Sequence, residues 1–148
     1  ALSGGQKRRA AIAGVLACRP KVLILDDVTA GLDPRGRKEI LHVVKRLHRE
    51  RKMTVIFISH NMDDVARLAE RVVILDRGRI VDDGPAREVL ARIGRLQEIG
   101  LEPPQVIEIM QRLRKNGFAV PTGVLNVNEA LLEIVKALGG PEVDKSWS

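Results

Sequence analysis

Short apolar runs, each closed by polar or turn residues, are the first pattern along the chain. "VLILD" (22–26), "TVIFIS" (54–59) and "VVILD" (72–76) are continuous and rich in β-branched residues. Such runs predict strands buried on both faces of a parallel sheet. Between them the apolar spacing becomes helical. "AAIAGVLA" (10–17) predicts a mostly buried helix, N-capped by Ser3 and closed by Arg19-Pro20. Ile40, Val43, Val44 and Leu47 stripe a second helix, which Asp33 caps and Pro34 opens. A third starts near Asp63 and Asp64, whose charges suit the positive end of a helix dipole. Arg77-Gly78 turns the third strand into a hairpin with "RIVDD", and Gly84-Pro85 opens a short helix through Leu90. Strands alternating with helices predict an α/β fold with a parallel sheet and flanking helices.

The pattern changes after residue 92. "EIGLEPPQ" reads as a linker, with a helix starting at Pro103-Pro104 and ending on Gly117. Val106, Ile107, Met110 and Leu113 give that helix an apolar face with little neighbouring core to cover it. Asn126 and Glu129 form a capping box for a last helix through Leu138, followed by a frayed tail. Residues 1–92 are therefore expected to form the α/β part, and 93–148 a small helical appendage.

Composition narrows the functional classes. The chain of 148 residues is 45% hydrophobic and 30% charged, so it can bury a core and is not disordered. No apolar run is long enough for a bilayer span, and no signal-peptide pattern opens the chain. The single cysteine, Cys18, fits a reducing compartment and is expected to be a small buried hydrophobe. A net charge of +6 suits a phosphate-rich partner or an anionic membrane surface. Two Phe, one Trp and no Tyr leave no stacking platform for single-stranded nucleic acid. His42 and His48 share the basic second helix without a third ligand nearby, which argues against a zinc site. The remaining basic residues of that helix read as solvated surface, with a lipid-facing role as the alternative.

The chemistry gathers at the ends of the runs. The first strand finishes on two adjacent carboxylates, Asp26 and Asp27. In open α/β sheets ligands bind at the carboxyl edge, where such side chains emerge. "LSGGQ" places Ser3, Gly4 and Gly5 at a helix N-terminus, where free N–H groups attract phosphate. "AGLD" brings Asp33, and Ser59-His60 follows the second strand directly. Taken singly, each has an ordinary explanation: an Asx turn, a capped glycine turn, an N-cap, a structural histidine.

Their order is more specific. "LSGGQ", "LILDD", "AGLD" and "SH" resemble the signature, Walker B, D-loop and switch histidine of ATP-binding cassette (ABC) ATPases, over residues 1 to about 92. The appendage, through "EIGLEPPQVIEIMQRLRKNGF" and "NVNEALLEIVKAL", resembles the C-terminal extension of energy-coupling factor transporter ATPases, which energise uptake of vitamins or of cobalt and nickel. The resemblance implies that Ser3, Gly4, Gly5 and Gln6 contact ATP held by a partner subunit. Asp26 would serve Mg2+, Asp27 would stand for the catalytic carboxylate, Asp33 would face the partner and His60 would sense the γ-phosphate. It also implies a second ABC ATPase subunit, as homo- or heterodimer, an integral membrane transport subunit, no nucleic acid, and a place at the cytoplasmic face of the cell membrane.

Two departures stand out. Asp27 and Val28 occupy positions where the family usually has Glu and Pro. No GxxxxGK[ST] loop is present, so the residues gripping ATP in cis are expected upstream or on another chain. The opening directly on "LSGGQ" leads us to expect the C-terminal portion of a longer protein. Two other functions fit part of the pattern: a nucleotide-binding regulatory subunit with a weakened catalytic site, and the signature half of a chromosome-maintenance or DNA-repair ATPase. The latter would lack a helical appendage after the hairpin.

Overall fold

A computed structural model describes residues 4–140. The chain divides into two compact units at the step from His60 to Asn61.

The first unit contains α1 (Gly4–Ala17), β1 (Val22–Asp26), α2 (Pro34–Arg51) and β2 (Thr54–Ile58). β1 and β2 pair in parallel, from Val22 opposite Thr54 to Asp26 opposite Ile58. The helical crossover that parallel strands require is α2, which packs against β2. Asp33 caps α2 as expected: its Oδ1 accepts the Gly36 N–H at 2.9 Å, with Pro34 in the first turn. A Cβ at Gly36 would lie 2.7 Å from that oxygen, so a larger residue there would push the capping carboxylate aside. Ile40, Leu41, Val44 and Leu47 are buried along α2, each worth roughly 1.5–3 kcal/mol if fully removed from water. At the other end Lys52 turns left-handed (φ 49°). The Met53 carbonyl can only accept, so His48 must be protonated at Nδ1, 2.8 Å away.

Three expectations for this unit need correction. Burial alternates along β1: Leu23 and Leu25 are covered, while Val22 and Ile24, with Ile56 and Ile58 across the ladder, are exposed. One helix layer covers one face of a sheet, so these strands are not buried on both. Likewise α1 is not mostly buried. Among its described side chains only Ile12 is buried, and Ala13, Val15 and Ala17 are exposed. Cys18 is exposed too. Ser3, the expected cap, lies outside the described residues.

The second unit contains α3 (Met62–Leu68), β3 (Arg71–Asp76), β4 (Arg79–Pro85), α4 (Ala86–Leu90), α5 (Ile93–Glu98), α6 (Gln105–Lys115) and α7 (Val127–Ala137). β3 does not extend the parallel pair; it forms a separate antiparallel sheet with β4. A two-residue turn sets the antiparallel pairing. Arg77 (φ 48°) and Gly78 (φ 76°) both take positive φ, as a type I′ hairpin requires. Arg71 grips Asp83 through two bonds of 2.8 and 2.7 Å near the open end.

The core of this unit is built from Val89, Leu90, Leu96, Ile107, Met110 and Val124. Val106, Ile107 and Met110 are therefore covered by their own chain, contrary to the expectation of an uncovered face. α5 was not foreseen. It runs into the first residue of the expected linker, and left-handed Gly100 (φ 77°) follows its end. α6 has no side-chain cap from its own N-terminus; instead Asp63 of α3 accepts the Gln105 N–H at 3.0 Å. Asn126 caps α7, accepting the Glu129 N–H at 2.9 Å. The Glu129 carboxylate itself binds Arg87 of α4 at 2.6 and 3.1 Å, and Arg87 also donates to the Gly123 carbonyl at 2.9 Å.

Candidate functional site

Parallel pairing assembles the site. Because Asp26 lies opposite Ile58, the residues that follow each strand leave from one carboxyl edge. The Asp27 N–H extends the ladder by donating to the Ile58 carbonyl at 2.9 Å. Asp27 itself is left-handed (φ 45°), a conformation that Asp tolerates better than most residues. The next bonds close a tight turn: Ala30 N–H to the Asp27 carbonyl at 3.1 Å, and Leu32 N–H to the Thr29 carbonyl at 3.3 Å. Thr29 is buried within it, and Gly31 (φ 69°) completes it. The result aims the Asp27 side chain at the residue leaving β2. Its Oδ2 lies 3.4 Å from His60 Nδ1.

The side chains of His60 and Asp27 remain 75% and 39% exposed. A pair this open contributes less than about 1 kcal/mol to stability, and both groups stay available to a ligand. Asp26 is exposed at the same edge. Among the described residues no group of three or more His, Cys, Asp or Glu could hold a metal by itself. One or two carboxylates are enough for Mg2+, however, when phosphate oxygens complete its shell. The hard oxygens of Asp26 fit that arrangement.

The structure thus brings Asp26, Asp27 and His60 together. Asp33 is engaged by its own helix, and Gly4, Gly5 and Gln6 form the first turn of α1. One residue escaped the reading of the sequence. Asn61, next after His60, caps α3 by accepting the Asp64 N–H at 3.0 Å and so fixes where the histidine segment ends. An Asn directly ahead of a helical run was the available signal.

Charge pairs elsewhere are structural. Asp82, buried on β4, accepts from Arg92 at 2.6 Å, with Arg95 3.6 Å away. The Arg92 hydrogen bond holds the Asp82 carboxyl below the usual range against the opposing effect of burial. The Arg71 hydrogen bond does the same for Asp83.

Comparison with known proteins follows the same lines. Residues 1–63 match the family described as "AAA domain, putative AbiEii toxin, Type IV TA system". The chain is 50% identical over 139 residues to the energy-coupling factor transporter ATP-binding protein EcfA2 of Caldanaerobacter subterraneus subsp. tengcongensis, covering 94% of this chain and 49% of the relative. It is 51% identical over 138 residues to EcfA2 of Clostridium perfringens, covering 91% and 48%. The chain spans about half the length of these curated relatives. Among solved structures it resembles cbiO1 of Clostridium perfringens, described as part of the ABC transporter complex cbiONQ. That match has 39% identity, a TM-score of 0.59 and coverage of 78% of this chain and 42% of the other. It also resembles a dimeric post-hydrolysis ATP-binding cassette bound to ADP and Pi, at 32% identity and TM-score 0.53, covering 57% and 36%. With the motif order and the parallel edge that carries Asp26, Asp27 and His60, these similarities identify the chain as a member of the ABC ATPase family, of the energy-coupling factor ATP-binding type.

Proposed function

We propose that this chain is part of the ATP-hydrolysing subunit of an energy-coupling factor importer, working with a second ABC ATPase subunit beneath a membrane transport protein. The observation that carries the reading is the approach of Asp27 to His60 on the edge where Asp26 also emerges. Nucleoside triphosphate supplies the phosphoryl group. Asp26 would hold Mg2+ together with phosphate oxygens. Asp27 would accept a proton from, or orient, the attacking water. His60 would donate a hydrogen bond to the terminal phosphate, where negative charge gathers. Ser3, Gly4, Gly5 and Gln6 would meet the nucleotide of the partner subunit through the N-terminus of α1, and Asp33 would lie toward that partner while capping α2. Residues 1–92 would be the ATPase part and 93–148 a dimerising or regulatory appendage. The cargo would be a vitamin or a transition-metal ion such as cobalt or nickel, and the protein would sit at the cytoplasmic face of the cell membrane.

The test is Asp26→Asn in the complete protein. It should remove Mg2+-dependent nucleotide binding together with turnover. Mg2+-dependent affinity within about threefold of the native value would reject the assignment.

A second reading is a nucleotide-binding regulatory subunit that turns over slowly. Its support is Asp27, one methylene shorter than the family's usual Glu, followed by Val28 in place of Pro. The reading as a chromosome-maintenance ATPase finds less support, because the relatives compared are transporter ATP-binding proteins aligned across the appendage as well.

A further inference from the structure

The outer face of α2 plays no part in the chemistry above, yet its composition is one-sided. At 3.6 residues per turn, Lys38, His42, Lys45, Arg46 and Arg49 fall within an arc of about 100°. All five are exposed, on the side opposite buried Ile40, Val44 and Leu47. From Lys38 to Arg49 this crest runs about 17 Å, at about 1.5 Å per residue. The helix carries only two carboxylates, Glu39 and Glu50, and both project to one flank of the crest. Glu39 is 3.3 Å from Arg35. Lys38, Lys45, Arg46 and Arg49 make no ion pair with a carboxylate among the described residues. Like charges three and four residues apart repel, so the crest works against the helix that displays it. A row of unneutralised cations on one straight face needs a row of anions.

We infer that this crest lays α2 along an anionic phospholipid surface, with Lys38, Lys45, Arg46 and Arg49 taking headgroup phosphates. The inference rests on the transport reading for its place beside a membrane and adds a surface to it. A flat sheet of phosphates suits the convex crest of a straight helix. The apolar stripe of α2 is already buried in the protein, so attachment is electrostatic, without insertion, and is lost in salt. Nucleic acid is the weaker match. α2 has no Phe, Tyr or Trp to stack on a base and no Asn or Gln to read adenine.

The test is flotation of the complete protein, free of its membrane partner, with vesicles of phosphatidylcholine alone or with about one-quarter phosphatidylglycerol. At about 0.1 M salt the anionic vesicles should bind at least about tenfold more protein, and about 0.5 M salt should release it. Each cation near such a surface is worth a factor of about five. The combined variant Lys38→Gln, Lys45→Gln, Arg46→Gln, Arg49→Gln should therefore fall at least about tenfold. Gln keeps helix propensity, and circular dichroism checks the fold. Exchange of Lys45→Arg with Arg46→Lys should keep binding within about twofold. Equal binding to neutral vesicles, undiminished flotation of the fourfold variant, or tighter binding to a short DNA duplex than to the vesicles would each overturn the inference. ATP turnover of the same samples separates the two readings. Turnover without flotation rejects the lipid surface alone; flotation without turnover rejects the ATPase reading and leaves the crest standing.

Discussion

Asp27→Glu should make the complete protein a faster but slightly less stable ATPase. The native carboxylate stops 3.4 Å from His60 Nδ1, beyond a good hydrogen bond. One more methylene carries the carboxylate roughly 1–1.5 Å further from the backbone. Misplacement of about 1 Å can cost about 10²-fold in rate, and a water-positioning or general-base group contributes about 10²–10⁴. A gain of about tenfold or more in turnover is therefore expected, with nucleotide affinity changed little. Stability should move the other way. The residue is left-handed at φ 45°, where short polar side chains such as Asp are favoured, and a residue without that advantage loses about 1 kcal/mol. Steady-state ATP hydrolysis and a thermal melt of the same samples read both effects. Val28 leaves the backbone free of the fixed φ that Pro would impose, so the turn can adjust to the longer side chain. If turnover stays level or falls while the melt drops as expected, Asp27 is already well placed, and the idea of a catalytic carboxylate set too far back is wrong.

Other outcomes follow from the packing and charge pairs. Asp33→Ala removes the cap of α2 and should cost about 1 kcal/mol, seen as a lower melting temperature; an unchanged melt would show the cap is replaced by solvent. The Asp82–Arg92 and Asp83–Arg71 pairs hold both carboxyls below their ordinary pKa, so their stabilisation is complete above about pH 4 and is lost as pH falls through the lowered folded-state values. Asp82→Asn should thus flatten the decline of the melt below about pH 4, and an unaltered acid limb would contradict the pairing. Leu131 and Val127 are exposed on α7, and Leu138 is exposed just past its end. If the appendage supports dimerisation, Leu131→Asp should weaken ATP-free association in analytical ultracentrifugation without lowering the melt.

Local chemistry made much of the fold legible. The Asp33-Pro34 start of α2, the Arg77-Gly78 hairpin and the Asn126 cap all depend on residues a few positions apart, and each stands where the sequence puts it. What failed depends on distant partners. An apolar run such as "VLILD" cannot say how many layers will cover it, so the exposure of Val22 and Ile24 was invisible. The stripe of Val106, Ile107 and Met110 looked unpartnered because Leu90, which shares its core, belongs to the expected α/β part, and Leu96 sits on α5, which the sequence pattern did not reveal. Glu129 looked like the second half of a capping box; its carboxylate accepts from the Asn126 side-chain amide at 3.4 Å and also from Arg87, 42 residues away, at 2.6 Å. At the site, motif order singled out Asp26, Asp27 and His60, but their closeness required the Asp26–Ile58 register.

The role of His60 tests the account most directly. Its ring is 75% exposed and its contact with Asp27 adds little stability, so removing it should leave the fold intact. In the complete protein, with its partner subunit, His60→Ala should lower ATP turnover by at least about 10²-fold. The melt should be unchanged and the nucleotide dissociation constant should stay within about threefold. Native turnover in the His60→Ala protein would contradict the claim that this edge of the parallel pair is where the phosphoryl group is transferred.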